Sequence, residues 1–68
     1  MEPYQERVVV EKEELDVKIL ALAQFRKSDP HESLSEIEKK DLRDQWYCMR
    51  KYSAILAKRI SLFNTRKT

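Results

Sequence analysis

Aromatic and basic side chains are the residues of this sequence whose types could recognise a ligand. In the first half, Tyr4 is followed by Arg7, Lys18 and Arg26. An aromatic ring offers a flat face to a nucleobase, and a cation offers positive charge to a phosphate. These four residues are the candidate ligand-binding set, although each taken alone could be ordinary solvated helix surface. Other residues with the same chemistry are Lys12, Lys27, Tyr47, Arg50, Lys51, Tyr52, Lys58 and Arg59.

Tyr4 differs from the other candidates in its position. It follows Pro3 at the N-terminal edge of the sequence, where an aromatic residue has no obvious core position in its own chain. The ring could reach a neighbouring chain or a ligand. Alternatively, it could pack on Val8 as a hydrophobic staple at the start of a helix.

Side chains that could support catalysis or metal binding are few. The one histidine, His31, lies between the predicted helices, where we expect a solvated or capping role. The one cysteine, Cys48, lies on an apolar stripe and is expected to be a small buried hydrophobe. Paired metal-ligand spacing cannot be made from single residues, and the absence of glycine excludes glycine-rich phosphate loops. The sequence therefore predicts a protein that is not an enzyme and has no cofactor.

The composition indicates one small domain over residues 1–68, with frayed ends expected at 1–3 and 64–68. Charged residues make up 38% of the chain but the net charge is only +2, which argues against a nucleic acid polymer as partner. No apolar run approaches the roughly 20 residues that span a bilayer, and no signal-peptide pattern is present. We expect a cytoplasmic protein with no membrane partner.

The apolar pattern predicts an all-α protein with two helices. The first is predicted over about residues 4–27, because Val8, Leu15, Ile19 and Leu22 share one helical face. That face is expected to be broadened by three further apolar residues, Val17, Leu20 and Phe25.

The second helix is predicted over about residues 33–63. Either Asp29 caps its start with Pro30 at the first helical position, or Ser33 and Glu36 form a capping box. Alternating steps of four and three residues then form a heptad seam. Its members are Leu42, Trp46, Met49, Ser53, Leu56, Ile60 and Phe63.

A second apolar stripe lies beside the heptad seam. Cys48, Tyr52, Ile55 and Leu62 widen the apolar arc beyond what one partner helix can cover. The shorter first helix, folded back antiparallel as a helical hairpin, leaves part of this arc bare. We therefore expect the hairpin to assemble into a helical homo-oligomer.

Three stretches of the chain resemble a group of small phage-encoded helical proteins. They are ERVVVEKEELDVKI in the first helix, SLSEIEKKDLRDQ after the turn and MRKYSAILAKRI in the second helix. Together they cover about residues 5–60. The group includes the anti-CBASS sponges, which sequester the cyclic oligonucleotide signals of bacterial antiphage immunity.

This resemblance implies a compact, helical, hexameric protein in the cytoplasm of an infected bacterial host cell. It would bind a cyclic di- or trinucleotide between subunits without cleaving it. In that family an N-terminal tyrosine stacks on the bases and a first-helix lysine meets the phosphates. Tyr4 and Lys18 are the closest matching residue types here.

Two other functions stay open at the level of sequence. A helical adaptor or inhibitor could bind a host protein through the wide apolar face that includes Trp46 and Tyr52. A small nucleic-acid binder could use the basic residues of the second helix, although acidic residues interrupt the first helix and the net charge is small.

Overall fold

The computed structural model describes residues 2–65, nearly all of them helical. Helix α1 covers Pro3–Phe25, α2 covers Asp29–Glu32 and α3 covers Glu36–Thr65. No strand occurs within residues 2–65, which confirms the predicted all-α class for this range. The long helices differ from the predicted ranges, 4–27 and 33–63, by three residues or fewer at each end. Of the expected frayed ends, residues 1 and 66–68 lie outside the described residues.

Helix α1 begins with residues suited to a helix N-terminus. Pro3 occupies the first helical position, where a backbone N–H would have no partner within the helix. The backbone N–H of Glu2 donates a hydrogen bond to Oε1 of Gln5 at 2.8 Å. From there the helix continues without a break through the three valines at 8–10 to Phe25.

The connection between the long helices contains the short helix α2, with Pro30 in its first turn. The cap of α3 is a box formed by Ser35 and Glu38. The Glu38 N–H donates to Ser35 Oγ at 3.2 Å, and the Ser35 N–H donates to Glu38 Oε1 at 3.3 Å. The predicted start at Asp29 or Ser33 is therefore wrong. The stretch SLSEIE contains the capping signature twice, two residues apart, and the second copy is used.

Helices α1 and α3 lie side by side, and their contacts run in opposite order along the two helices. Tyr4 near the start of α1 contacts Phe63 near the end of α3, and Asp16 bonds to Ser53 near the middle. At the other end, Arg26 lies over the ring of Trp46. The result is an elongated body measuring 52 × 14 × 14 Å.

The core is a single line of side chains between α1 and α3. Val8, Leu56 and Phe63 are buried, and Leu15 and Ile60 pack against them. Every position of the predicted heptad seam is buried or half-buried, which confirms that prediction.

Apolar residues outside this line are exposed in the single chain. Val17 and Leu20 are 68% and 59% exposed, and Phe25 is also exposed. Val17, Leu20 and Phe25 therefore do not broaden the face that α1 buries against α3, because α3 covers only one narrow stripe of α1. Cys48, predicted to be buried, is exposed. The rest of its stripe is exposed as well, namely Tyr52, Ile55 and Leu62.

A polar cluster interrupts the apolar line near its middle. Asp16 accepts one hydrogen bond from Lys12 Nζ at 2.6 Å and another from Ser53 Oγ at 2.6 Å. The bond from Lys12, followed by the bond from Ser53, holds the pKa of the Asp16 carboxyl below its ordinary value of 3.8. Because Asp16 and Ser53 belong to different helices, their bond also sets the register of α1 against α3.

The lowered pKa of Asp16 predicts an acid-dependent loss of stability. Asp16 has a higher pKa in the unfolded chain than in the folded one, so protonating it favours the unfolded chain. The stability that Asp16 adds is therefore present above about pH 4 and is lost as the pH falls through its lower folded-state pKa. We expect the urea midpoint, followed by circular dichroism, to fall less on acidification in Asp16→Asn than in the wild type. Asp41→Asn, at an exposed carboxylate of α3, is the control. Equal acid sensitivity of Asp16→Asn and the wild type would contradict this role.

Candidate functional site

The ring of Tyr4 lies at the end of the helix pair where α1 begins and α3 ends. It meets the buried Phe63 ring edge-on, with ring centroids 5.9 Å apart and an interplanar angle of 80°. Tyr4 itself is 42% exposed, so its ring is anchored on one side and accessible on another. A small depression of about 110 Å³ opens beside it. This Tyr4 cleft is lined by Tyr4, Arg59, Leu62 and Phe63.

The Tyr4 cleft combines an aromatic ring with a cation. Arg59 has no ion pair with a carboxylate within residues 2–65, so its guanidinium is available to an anion. Pockets that enclose a small ligand usually measure roughly 300–1,000 Å³. The cleft of one chain is therefore large enough for part of a nucleotide, and a complete pocket needs a second surface.

Arg7 and Lys18 project from the same flank of α1 as Tyr4, because steps of 3 and 14 residues return to one side of a helix. Both side chains are exposed. Lys18 nevertheless lies about 21 Å along the helix axis from Tyr4, at 1.5 Å per residue. One small ligand cannot touch both residues of the same chain, whereas residues of two chains could meet at one ligand.

Arg26 is located at the other end of the molecule, about 33 Å along the helix from Tyr4. Its guanidinium carbon lies 5.4 Å from the centre of the Trp46 ring, and that of Arg50 lies 4.8 Å from it. The structure thus places Tyr4 and Arg7 near one another but does not bring Lys18 or Arg26 to them within one chain.

Trp46 is half-buried between two arginines, which does not suit an anchor for a host protein.

Another surface depression, of about 540 Å³, runs along α1 alone. Three of its residues are glutamates and one is Arg7, so its charge disfavours a phosphate. A surface formed by a single helix is open and flat, which suits contact with another helix better than a small ligand. Its lining residues are Pro3, Glu6, Arg7, Val10, Glu11 and Glu14, and Glu11 also accepts a hydrogen bond from the Tyr52 hydroxyl.

Two residues at functional surfaces differ from the sequence predictions. Arg59 was among the wider set of basic residues but not among the four candidates. It reaches Tyr4 only because α3 packs against α1. His31 was expected to be solvated or to cap a helix, and this is wrong. It is only 8% exposed, and its ring meets Phe25 edge-on at 5.9 Å.

Within the described part of the chain, no group of histidine, cysteine and carboxylate side chains is arranged to hold a metal ion. None of the helices in this range has the length and apolar character needed to cross a bilayer.

A thin helix pair with an open aromatic and basic cleft defines a small helical ligand-binding protein. The sequence pattern of the Sequestin family matches residues 2–62, and the chain belongs to that family. Sequestins are anti-CBASS sponges for cyclic nucleotides and are not enzymes, which confirms the family predicted from the three sequence stretches. The protein therefore sequesters a signalling molecule without catalysis. No curated protein and no solved structure matched the chain.

Proposed function

We propose that this protein is a phage anti-defence sponge that sequesters cyclic di- or trinucleotide signals in pockets between subunits, in the cytoplasm of the infected bacterial cell. The observation that carries the proposal is the Tyr4 cleft. It presents an anchored, accessible tyrosine beside Arg59, which has no carboxylate partner among the described residues, in a space too small to enclose a nucleotide. Stacking and charge there match a base and its phosphate.

The pocket is completed by a second copy of the antiparallel hairpin. A cyclic dinucleotide carries two phosphates, so two chains related by a two-fold axis would offer Tyr4 and Lys18 twice to one ligand. The exposed stripe of Cys48, Tyr52, Ile55 and Leu62 gives the hairpin an apolar surface for assembly. A hexamer would contain three such pairs.

Each candidate residue has a role in this pocket. Tyr4 stacks on a base, while Arg7 and Arg59 beside it and Lys18 of another copy neutralise the phosphates. Arg26 enters the pocket only if a further copy supplies it, because it lies at the opposite end of its own chain. No bond of the ligand is broken, so it is held and released intact.

Removing the ring or the lysine tests the pocket. A thermal-shift assay with cyclic di- and trinucleotides should show stabilisation of the wild type by about 2.7 kcal/mol at a hundredfold excess over the dissociation constant. Tyr4→Ala and Lys18→Ala should abolish this shift while leaving helicity and oligomer size unchanged. Intact ligand should be recovered after denaturation, and linear dinucleotides serve as controls.

No shift with any cyclic nucleotide would overturn the sponge for this ligand class. A normal shift in both variants would overturn the assignment of Tyr4 and Lys18 while leaving the ligand class in place.

Arg59 provides a test of a residue that only the structure places in the Tyr4 cleft. Arg59→Gln should weaken ligand binding about 10- to 100-fold, because a hydrogen bond to a charged group contributes about 1.5–3 kcal/mol. Isothermal titration calorimetry gives the dissociation constant. Lys58→Gln is the matched control, since it removes a neighbouring positive charge outside the cleft. Equal affinities of the two variants would remove Arg59 from the site.

The proposed assembly surface can be tested by adding charge to it. Ile55→Glu combined with Leu62→Glu should convert the oligomer to smaller species in size-exclusion chromatography with light scattering, because carboxylates are costly to bury without partners. Tyr47→Glu, at an exposed ring outside the stripe, should keep the wild-type size. An unchanged mass for the double variant would contradict assembly through the stripe.

A further inference from the structure

A second basic depression lies at the connection between the long helices. This turn cleft measures about 450 Å³ and is about 33 Å along α1 from Tyr4. Its lining residues are Arg26, His31, Glu36, Lys39, Lys40 and Arg43. Four of these residues are cations, one is a histidine and one is a carboxylate.

The imidazole of His31 is the unusual feature of the turn cleft. The residue is only 8% exposed, and within the described residues neither Nδ1 nor Nε2 has a hydrogen-bond partner. The nearest carboxylate oxygen, Oε1 of Glu32, is 4.0 Å from Nδ1, beyond hydrogen-bond reach. A buried polar atom without a partner costs about 1–3 kcal/mol, and such atoms usually meet a water molecule, an ion or a ligand.

The two lysines of the turn cleft pair with carboxylates. Lys39 pairs with Glu32 at 3.6 Å and with Glu36 at 3.8 Å, while Lys40 has its own partner, Asp44, at 3.0 Å. The side chain of Glu36 is 93% exposed, so its pair with Lys39 is weak and easily replaced.

Arg26 and Arg43 differ from these lysines. Neither has an ion pair with a carboxylate in the part of the chain that the structure describes. Arg26 is held against the Trp46 ring at 5.4 Å, which limits the number of positions its guanidinium can take. A planar guanidinium donates two parallel hydrogen bonds to phosphate oxygens.

We propose that the turn cleft is a second anion site, which binds the phosphate group of a small phosphorylated molecule between Arg26, Arg43 and His31. The arginines provide the charge, and the imidazole N–H donates a hydrogen bond that it does not make to any residue of 2–65. Lys39 adds charge when the anion displaces Glu36. The turn cleft is distinct from the Tyr4 cleft, because the two clefts share no lining residue.

The single histidine makes the test direct. The imidazole resonances of His31 are observed by proton–carbon NMR on the full-length protein during titration with pyrophosphate at constant ionic strength. We expect a saturable shift that chloride does not produce. Arg43→Gln should raise the dissociation constant at least about tenfold, whereas Glu36→Gln should lower it, because the competing carboxylate is removed. Lys58→Gln, outside the turn cleft, should leave it unchanged.

The sources of the phosphate group are separated by further titrations of Tyr4→Ala. Displacement of bound pyrophosphate by a cyclic dinucleotide identifies the phosphate of a second nucleotide as the ligand, and saturation by pyrophosphate without such displacement identifies a free phosphate ligand. Both outcomes support the site, and neither depends on the Tyr4 pocket. The proposal is overturned if the His31 resonances do not saturate, if Arg43→Gln binds as the wild type does, or if duplex DNA displaces pyrophosphate more strongly than any small anion.

Discussion

Two helices lying side by side can bury only the side chains along the line where they touch. Among the described residues that line contains the buried apolar residues Val8, Leu56 and Phe63, of which only Leu56 is fully buried, with a few partly buried neighbours. Such a core is small for an independent fold. The same geometry leaves the apolar stripe of α3 exposed and makes the Tyr4 cleft shallow. The limited core and the incomplete pocket are thus two results of one constraint, and a second copy of the chain would relieve both.

The position of the Tyr4 cleft depends on the polar bond in the middle of that line. Ser53 of α3 donates to Asp16 of α1, as Tyr52 donates to Glu11, and sliding α3 by one turn would separate both pairs. It would also move Phe63 away from Tyr4 and displace Arg59 from the cleft. A hydrogen bond to a charged carboxylate needs one particular alignment of the two helices, so it fixes their register as well as adding stability. Apolar packing alone tolerates more than one register.

The sequence predicted what depends on periodicity. The heptad positions of α3 are correct because a seven-residue repeat places its members on one face whatever the partner is. The predicted width of the packed surface was wrong. Val17 on α1 and Cys48 on α3 stay exposed in the single chain, because one neighbouring helix covers only a narrow stripe. Arg59 could not be placed beside Tyr4 from the sequence, because the two residues are distant along the chain. The burial of His31 was missed because it depends on how the turn folds back onto Phe25. The choice between Ser33 and Ser35 was open because both fit the same capping signature.

The connection between the long helices has no residue with positive φ among those described, and the chain contains no glycine. Its backbone therefore consists of conformations that almost every residue type adopts without strain. If every residue of this segment were replaced by each other residue type, any loss of stability or binding would come from side-chain chemistry and packing rather than from backbone strain. Measuring stability and ligand binding separately for each variant would then show which turn positions matter for binding alone. In a turn that required glycine, substitutions would disturb folding and binding together.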